Sequence, residues 1–430
     1  MEAKILMPKD FYINGWHAGI KPDQKKDFGF IFSEKLCSVG AVFTKNLFVG
    51  NPIIVGREHM KDGVMQCVIV NSGNSNVATG KEGLELAYQS CKWAAETLKI
   101  TETNVLPSST GVIGRRLNPE TIKRACKDII HYLDKIPLNF AEAIITTDQF
   151  LKIESFTNYK YTILGIAKGA GMISPNMATM LSYVITDVSI PSKDLQNMTK
   201  WIADKTFNRI SVDSDTSTSD TFVILANGAS KIRMEFPEEK FKKIEDLEFD
   251  LFIRFINLGN SEIHAPLGEI VQEFKKILDI PEENIEFLLR LYQICLKLAK
   301  KIVKDGEGST KIFRVNVLRA PKKSIAEKIG KSIINSPLVK TAIYGGDPNW
   351  GRLIMAIGKI EENFDISKIK IFCNGKELFP NEMNQEILKQ NFQQKEIYFD
   401  VDLNYGNFHD SFWGCDLGYQ YIKINADYTT

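Results

Sequence analysis

Ala167-Lys168-Gly169-Ala170-Gly171-Met172-Ile173-Ser174-Pro175-Asn176-Met177-Ala178-Thr179-Met180-Leu181 runs directly into Leu181-Ser182-Tyr183-Val184-Ile185. Two glycines and a proline predict a constrained loop, and the β-branched and aromatic run behind it predicts a strand. Thr179 therefore stands where a loop enters a strand. A threonine hydroxyl is a weak nucleophile alone, but a cut before it frees an α-amino group whose ordinary pKa is about 7.7–8.0 and which can accept the hydroxyl's proton. The plain alternative is a threonine chosen for β propensity, and spacing alone favours it.

Outward from this segment, Phe28–Phe32, Val39–Phe43 and Cys67–Val70 read as further short strands, as do Ile312–Leu318, Ile369–Phe372 and Ile397–Val401. Leu84, Ala87, Tyr88, Cys91, Ala94, Ala95 and Leu98 recur at three- and four-residue intervals and mark one helix face; Ile285, Leu288, Tyr292, Cys295, Ala299 and Ile302 mark another. Strands and helices mix throughout, which predicts an α/β or α+β class. The charge-dense stretch 229–284 reads as a surface excursion carrying helix, and the turn-rich alternation from Gly308 onward as a smaller second domain.

The 430 residues carry 54 Lys plus Arg against 53 Asp plus Glu, a net charge of +1, so the overall balance gives no reason to expect nucleic acid or an anionic membrane as partner. No apolar run is long enough to span a bilayer, and the first residues do not form a secretory signal. A soluble, cytoplasmic protein is expected. The seven cysteines lie far apart without a CxxC pair, which fits mostly buried thiols in a reducing compartment. Five scattered histidines and no HExxH pair argue against zinc.

Three other loops bear on chemistry. Ser108-Ser109-Thr110-Gly111-Val112-Ile113-Gly114 is built of small residues whose amides can approach an oxyanion, or it is an ordinary turn. In Val212-Asp213-Ser214-Asp215-Thr216-Ser217-Thr218-Ser219-Asp220-Thr221, the alternating aspartates hint at a Ca²⁺ loop. Thr218 and Ile224 stand where that loop needs Gly and Glu, so a hydroxyl-rich hydrogen-bonded turn is the better reading. Asp305-Gly306-Glu307-Gly308 brackets one carboxylate with glycines after a predicted helix, which suits a helix C-cap as well as a site. Neither Gly169-Ala170-Gly171 nor Gly345-Gly346 completes a nucleotide-cradling motif.

Taken in order, these motifs resemble the ornithine acetyltransferase family, which includes the bifunctional glutamate N-acetyltransferase of arginine biosynthesis. The resemblance runs over almost the whole chain, through Ala18-Gly19-Ile20-Lys21, Val70-Asn71-Ser72-Gly73-Asn74, Ser109 to Gly114, Thr146-Thr147-Asp148 and Lys168 to Leu181. It continues through Asn208-Arg209-Ile210, Asp215 to Thr218, Asp305 to Gly308, Lys340 to Ile343, Asp347-Pro348-Asn349-Trp350-Gly351-Arg352, Trp413 to Leu417 and Ile424 to Thr430.

The resemblance implies a layered α/β sandwich of the N-terminal-nucleophile-like type over residues 1–307, with a smaller C-terminal α/β domain over 308–430. It implies self-cleavage between Ala178 and Thr179 into chains 1–178 and 179–430, assembled as two α plus two β chains. Thr179 would then carry acetyl from N-acetylornithine to glutamate as an ester. Thr110 and Gly111 match the family's oxyanion-hole pair, each donor contributing about 3 kcal/mol of barrier lowering. Thr147, Lys168, Thr179, Glu307, Asn425 and Thr430 match positions that hold the amino-acid substrate, and the neighbouring Thr146 leaves the Thr147 assignment open by one residue. Acetyl-coenzyme A as a second donor is left open, since one nucleophile serves either. No metal or bound organic cofactor is implied. An amide hydrolase on a similar scaffold and an uncleaved amino-acid-binding protein are the rival readings.

The chain departs from the family at Ser214 and Ser219, usually Gly and Asn, at the bulky Tyr405 and Phe408, and in a longer stretch between Asn227 and Asp305.

Overall fold

A computed structural model describes residues 5–174, 180–244, 249–257, 267–380 and 385–427. In chain order its strands are β1 (Phe11–Trp16), β2 (Phe28–Phe43), β3 (Val64–Asn71), β4 (Val105–Ser109), β5 (Lys152–Thr157), β6 (Thr162–Lys168), β7 (Leu181–Thr186), β8 (Ile210–Ser211) and β9 (Thr221–Ala226). There follow β10 (Ile312–Ala320), β11 (Lys370–Cys373), β12 (Lys376–Phe379), β13 (Glu396–Asp402) and β14 (Phe408–Cys415). The chain divides into two compact units, one of residues 1–208, 215–238 and 290–298, the other of 209–214, 239–289 and 299–430.

The first unit is built on the sheet β4-β3-β2-β9-β7-β6-β5, with β1 paired to β2. Alternate residues of β3 serve opposite faces, as a pleated strand requires. Cys67 and Ile69 pack with Leu86, Cys91 and Ala94 of the helix Gly80–Leu98, while Val68 and Val70 join Phe140 and Ile144 of the helix Pro137–Ile144. Each such fully buried aliphatic contributes roughly 1.5–3 kcal/mol, so both sheet faces are firmly covered. The predicted strands Phe28–Phe32 and Val39–Phe43 are one sixteen-residue strand. Its first part pairs with β1 and β3, its last six residues with β9, and the exposed Glu34, Lys35 and Leu36 lie near the change of partner, at a register shift. The charged Glu34 and Lys35 interrupt the apolar run, so the sequence shows two strands where the structure has one that changes partner. Gly40 is demanded by packing: a Cβ would stand 2.2 Å from Thr199 Oγ1 of the helix Ser192–Lys205 laid across β2.

The second unit carries the sheet β12-β11-β13-β10-β14-β8, in which β10 runs parallel to β13 and antiparallel to β14. Residues 209–214 belong to this unit because β8 pairs with Trp413 and Gly414, and because the buried Arg209 donates to both Asp410 oxygens at 3.0 Å and to Glu327 at 3.0 Å. The helix Lys323–Ile334 lays Ile329 and Ile333 against Val315, Val317 and Phe412. The helices Gly80–Leu98 and Glu282–Lys304 coincide with the two periodic stretches read from the sequence. All seven cysteines are free and buried. Among the described residues no helix is long and apolar enough to cross a membrane.

Candidate active site

In the first unit, strand register collects residues far apart in sequence. Lys168, the last residue of β6, pairs with Leu181, which pairs with Thr221, which pairs with Phe43. Lys168 is 8% exposed, and its ammonium donates to Thr110 Oγ1 at 3.2 Å and Thr146 Oγ1 at 3.0 Å. The structure thus brings Thr110 and Lys168 together and ties Lys168 to Thr146 rather than to Thr147 through a hydrogen bond.

Thr110 and Gly111 follow β4. The Thr110 N–H is spent on Asn71 O at 3.0 Å, so its hydroxyl is the group left to donate. Gly111 adopts φ +122°, and a Cβ there would lie 2.3 Å from Gly73 O, a position only glycine can hold. Its N–H makes no hydrogen bond among the described residues. Ser109 Oγ accepts the Asn76 N–H and donates to Asn74 O, fixing the facing loop.

Asp148 organises the cation. Its Oδ1 accepts the Gly169 N–H at 2.6 Å and Lys152 Nζ at 2.7 Å, and its Oδ2 accepts the Thr146 N–H at 3.0 Å. Neither the Lys152 nor the Asp148 side chain is exposed at all. Burial alone would push the Asp148 carboxyl up, but the ammonium groups of Lys168 and Lys152 together with these N–H donors hold it down to about 2. Lys21 is a third cation near this cluster. Its Nζ donates to the carbonyls of Lys26 at 3.0 Å and Ile145 at 2.8 Å, and burial lowers its pKa to about 8 against the opposing charges of Asp27 and Asp23.

In the second unit, Glu307 follows the helix Glu282–Lys304, whose end is closed by Asp305 N–H to Lys301 O and Gly306 N–H to Val303 O. Asn425, on the helix Tyr419–Asp427, donates to Glu307 Oε2 at 2.9 Å. The structure therefore joins Glu307 to Asn425. Ala178, Thr179 and Thr430 lie outside the described residues.

The residues that sequence reasoning left without a role are Lys21, Asp148, Lys152 and Asp220. Asp148 and Lys152, an acid and a base four residues apart, were a visible signal. The model of the ArgJ family matches residues 12–430. The chain belongs to the ArgJ family. Similar ArgJ chains include the arginine biosynthesis bifunctional protein ArgJ 2 of Clostridium acetobutylicum, 42% identical over 99% of this chain and 98% of its own. The arginine biosynthesis bifunctional protein ArgJ of Caldanaerobacter subterraneus is 38% identical over 100% and 99%. Among solved structures, ornithine acetyltransferase complexed with ornithine from Mycobacterium tuberculosis is 28% identical, covers 39% of this chain and 93% of its own, and has a TM-score of 0.38.

Proposed function

We propose that this ArgJ-family enzyme, acting in the cytoplasm, cuts itself between Ala178 and Thr179 and then moves acetyl from N-acetylornithine to glutamate through an ester on Thr179. The relatives carry names of bifunctional arginine biosynthesis proteins, which supports this substrate class. The single observation that carries the reading is the cluster of Lys168, Thr110 and Gly111 at the strand ends where β6 gives way to β7.

In the forward step the Thr179 hydroxyl oxygen attacks the acetyl carbonyl while the Thr179 α-amine takes its proton. The Thr110 hydroxyl and the Gly111 N–H are the two groups free to donate to the tetrahedral oxygen, Lys168 polarising the former by donating to its oxygen. Collapse breaks the amide C–N bond and the proton passes to the departing ornithine amine. The amine of glutamate then attacks the ester, and the mirror sequence restores the hydroxyl. Glu307 and Asn425 supply an anion and an amide for the amino-acid part of the substrate, with Thr147 and Thr430 as further polar contacts. Acetyl-coenzyme A enters the same scheme as an alternative donor, and two copies of each chain form the assembly.

Intact mass of the purified protein tests this. Fragments 1–178 and 179–430, the second gaining one acetyl group on exposure to N-acetylornithine and losing it to glutamate, are expected. A single uncleaved chain that gains nothing refutes the reading, and an acetyl group lost at the same rate without glutamate assigns the chain to amide hydrolysis instead.

A further inference from the structure

Lys21 takes no part in the scheme above, yet it shares a closed ring of contacts with Lys168. The two ammonium groups hold neighbouring oxygens of one short segment: Lys21 Nζ donates to Ile145 O at 2.8 Å, and Lys168 Nζ to Thr146 Oγ1 at 3.0 Å. On its other side Lys168 donates to Thr110 Oγ1 at 3.2 Å. Gly111, next to Thr110, lies so close to Gly73 that a Cβ would stand 2.3 Å from the Gly73 carbonyl oxygen, and a Cβ on Gly73 would meet Lys21 Cγ at 2.9 Å. Lys168 is buried, whereas Lys21, Gly73, Thr110, Gly111, Ile145 and Thr146 are all partly exposed, so the ring is open to a small ligand.

This ring is short of negative charge. Lys21 donates to the carbonyls of Lys26 and Ile145, and among the described residues no carboxylate reaches it at ion-pair distance and its third N–H has no partner. The Asp27 carboxylate is already engaged: its oxygens accept the N–H groups of Ala18, Ile20 and Lys21, and Oδ2 stands 3.1 Å from His17 Nδ1. Asp148 serves Lys152, Gly169 and Thr146. Burial holds the Lys21 ammonium down to about 8, the Lys168 charge acting in the same direction against Asp27 and Asp23. A carboxylate entering between the two cations relieves their repulsion and accepts charge-assisted hydrogen bonds.

We propose that Lys21 and Lys168 together seat the α-carboxylate of the amino-acid substrate, Lys21 supplying the second cation. This rests on the reading of the chain as an acetyltransferase acting on amino acids. Ornithine and glutamate share that carboxylate, and a single carbon separates it from the nitrogen that loses or gains acetyl. A seat beside Thr110 and Gly111 therefore brings the reacting carbonyl towards those two donors, and one pair of cations serves both halves of the transfer. The γ-carboxylate belongs to glutamate alone and gives the two substrates no common anchor.

Calorimetric titration of the purified enzyme with ornithine and with ornithinamide tests this, since neither ligand reacts without an acetyl donor. Ornithinamide keeps both amines and loses the carboxylate charge. In Lys21→Met the ornithine Kd is expected to rise about ten- to a hundredfold, the worth of one hydrogen bond to a charged group, while the ornithinamide Kd changes by less than about twofold. Lys21→Gln keeps an N–H donor for the Ile145 carbonyl and is expected to lose the same preference, so the outcome does not hang on Lys21→Met folding. Glutamate and glutamine, its γ-amide, are expected to weaken in both variants, and isoglutamine, its α-amide, to stay unchanged. An equal loss for ornithine and ornithinamide assigns Lys21 a purely structural role and overturns the proposal, as does an unchanged ornithine Kd. A loss confined to glutamate and isoglutamine moves the seat to the γ-carboxylate and overturns it as well. If the wild type binds neither ornithine nor glutamate, the functional reading fails and the seat with it; if it binds both and the variants bind them equally well, only the seat fails.

Discussion

Replacing Asp148 with Asn should reveal how much of the site is held by one carboxylate. Its folded pKa of about 2 lies below the ordinary value near 3.9. The ionised form therefore contributes stability that is fully present above about pH 4 and is lost as pH falls through about 2. The difference amounts to roughly 2.5 kcal/mol at neutral pH. Substitution costs more than protonation, because Asp148→Asn leaves the wholly buried Lys152 ammonium 2.7 Å from an amide instead of a charge. Breaking one side of a buried pair costs about 3–5 kcal/mol. Removing both partners in Asp148→Asn/Lys152→Met should return part of that loss, since the wholly buried Lys152 ammonium is gone while Lys168 still lacks its carboxylate. Activity should not return with it, because the Gly169 and Thr146 amides that orient Lys168 lose their charged acceptor in both variants. Urea unfolding at neutral pH, in a Thr179→Ala background so that all chains share one covalent state, measures the stabilities. Single-turnover transfer in the native background measures the rest. An Asp148→Asn protein within about 1 kcal/mol of its parent, or a double variant no more stable than the single one, would refute the reasoning.

Thr110→Ala removes the hydroxyl of the proposed oxyanion pair and should lower the single-turnover rate by about 10²–10³ with little change in donor affinity, checked by titrating N-acetylornithine. Gly111→Ala should be at least as damaging to turnover, since its Cβ would meet Gly73 O at 2.3 Å and force the loop away. Lys21 has a folded pKa lowered to about 8 by burial, so the unfolded chain binds more protons between pH 8 and its ordinary value near 10.4. Stability should gain from this group as pH rises across that window, and Lys21→Met should flatten the rise in a pH series of denaturant midpoints. Arg209→Met removes the guanidinium that donates to both oxygens of the buried Asp410 carboxylate and should cost about 3–5 kcal/mol, read as a lowered thermal midpoint.

The elements whose pattern is local were legible in the sequence. The helix Gly80–Leu98 shows its buried face at three- and four-residue intervals, and β7 shows itself as a β-branched run behind a proline-bearing loop. What was hidden depends on register. Lys168, Leu181, Thr221 and Phe43 stand side by side only because four strands pair in one particular alignment, and no spacing along the chain encodes that neighbourhood. In sequence Asp220 belongs to a hydroxyl-rich turn for the same reason: the start of β7, which it adjoins, is forty residues away along the chain. The resemblance named Thr110 and Lys168, but the division of labour between the spent Thr110 N–H and its available hydroxyl needed the hydrogen bonds themselves.

The strand order β4-β3-β2-β9-β7-β6-β5 has a consequence for the protein's later life. A cut between 178 and 179 would assign β1 to β6 to one polypeptide and β7 and β9 to the other. In the sheet the second polypeptide's two strands are wedged between β2 and β6 of the first. Neither product could then complete its sheet in isolation, and dilution should not separate them short of denaturation. Their stoichiometry would be set at one to one by the weave itself. Encoded as two genes, the pieces would have to meet while folding, so an uncut chain would serve assembly even if it were later given up for chemistry.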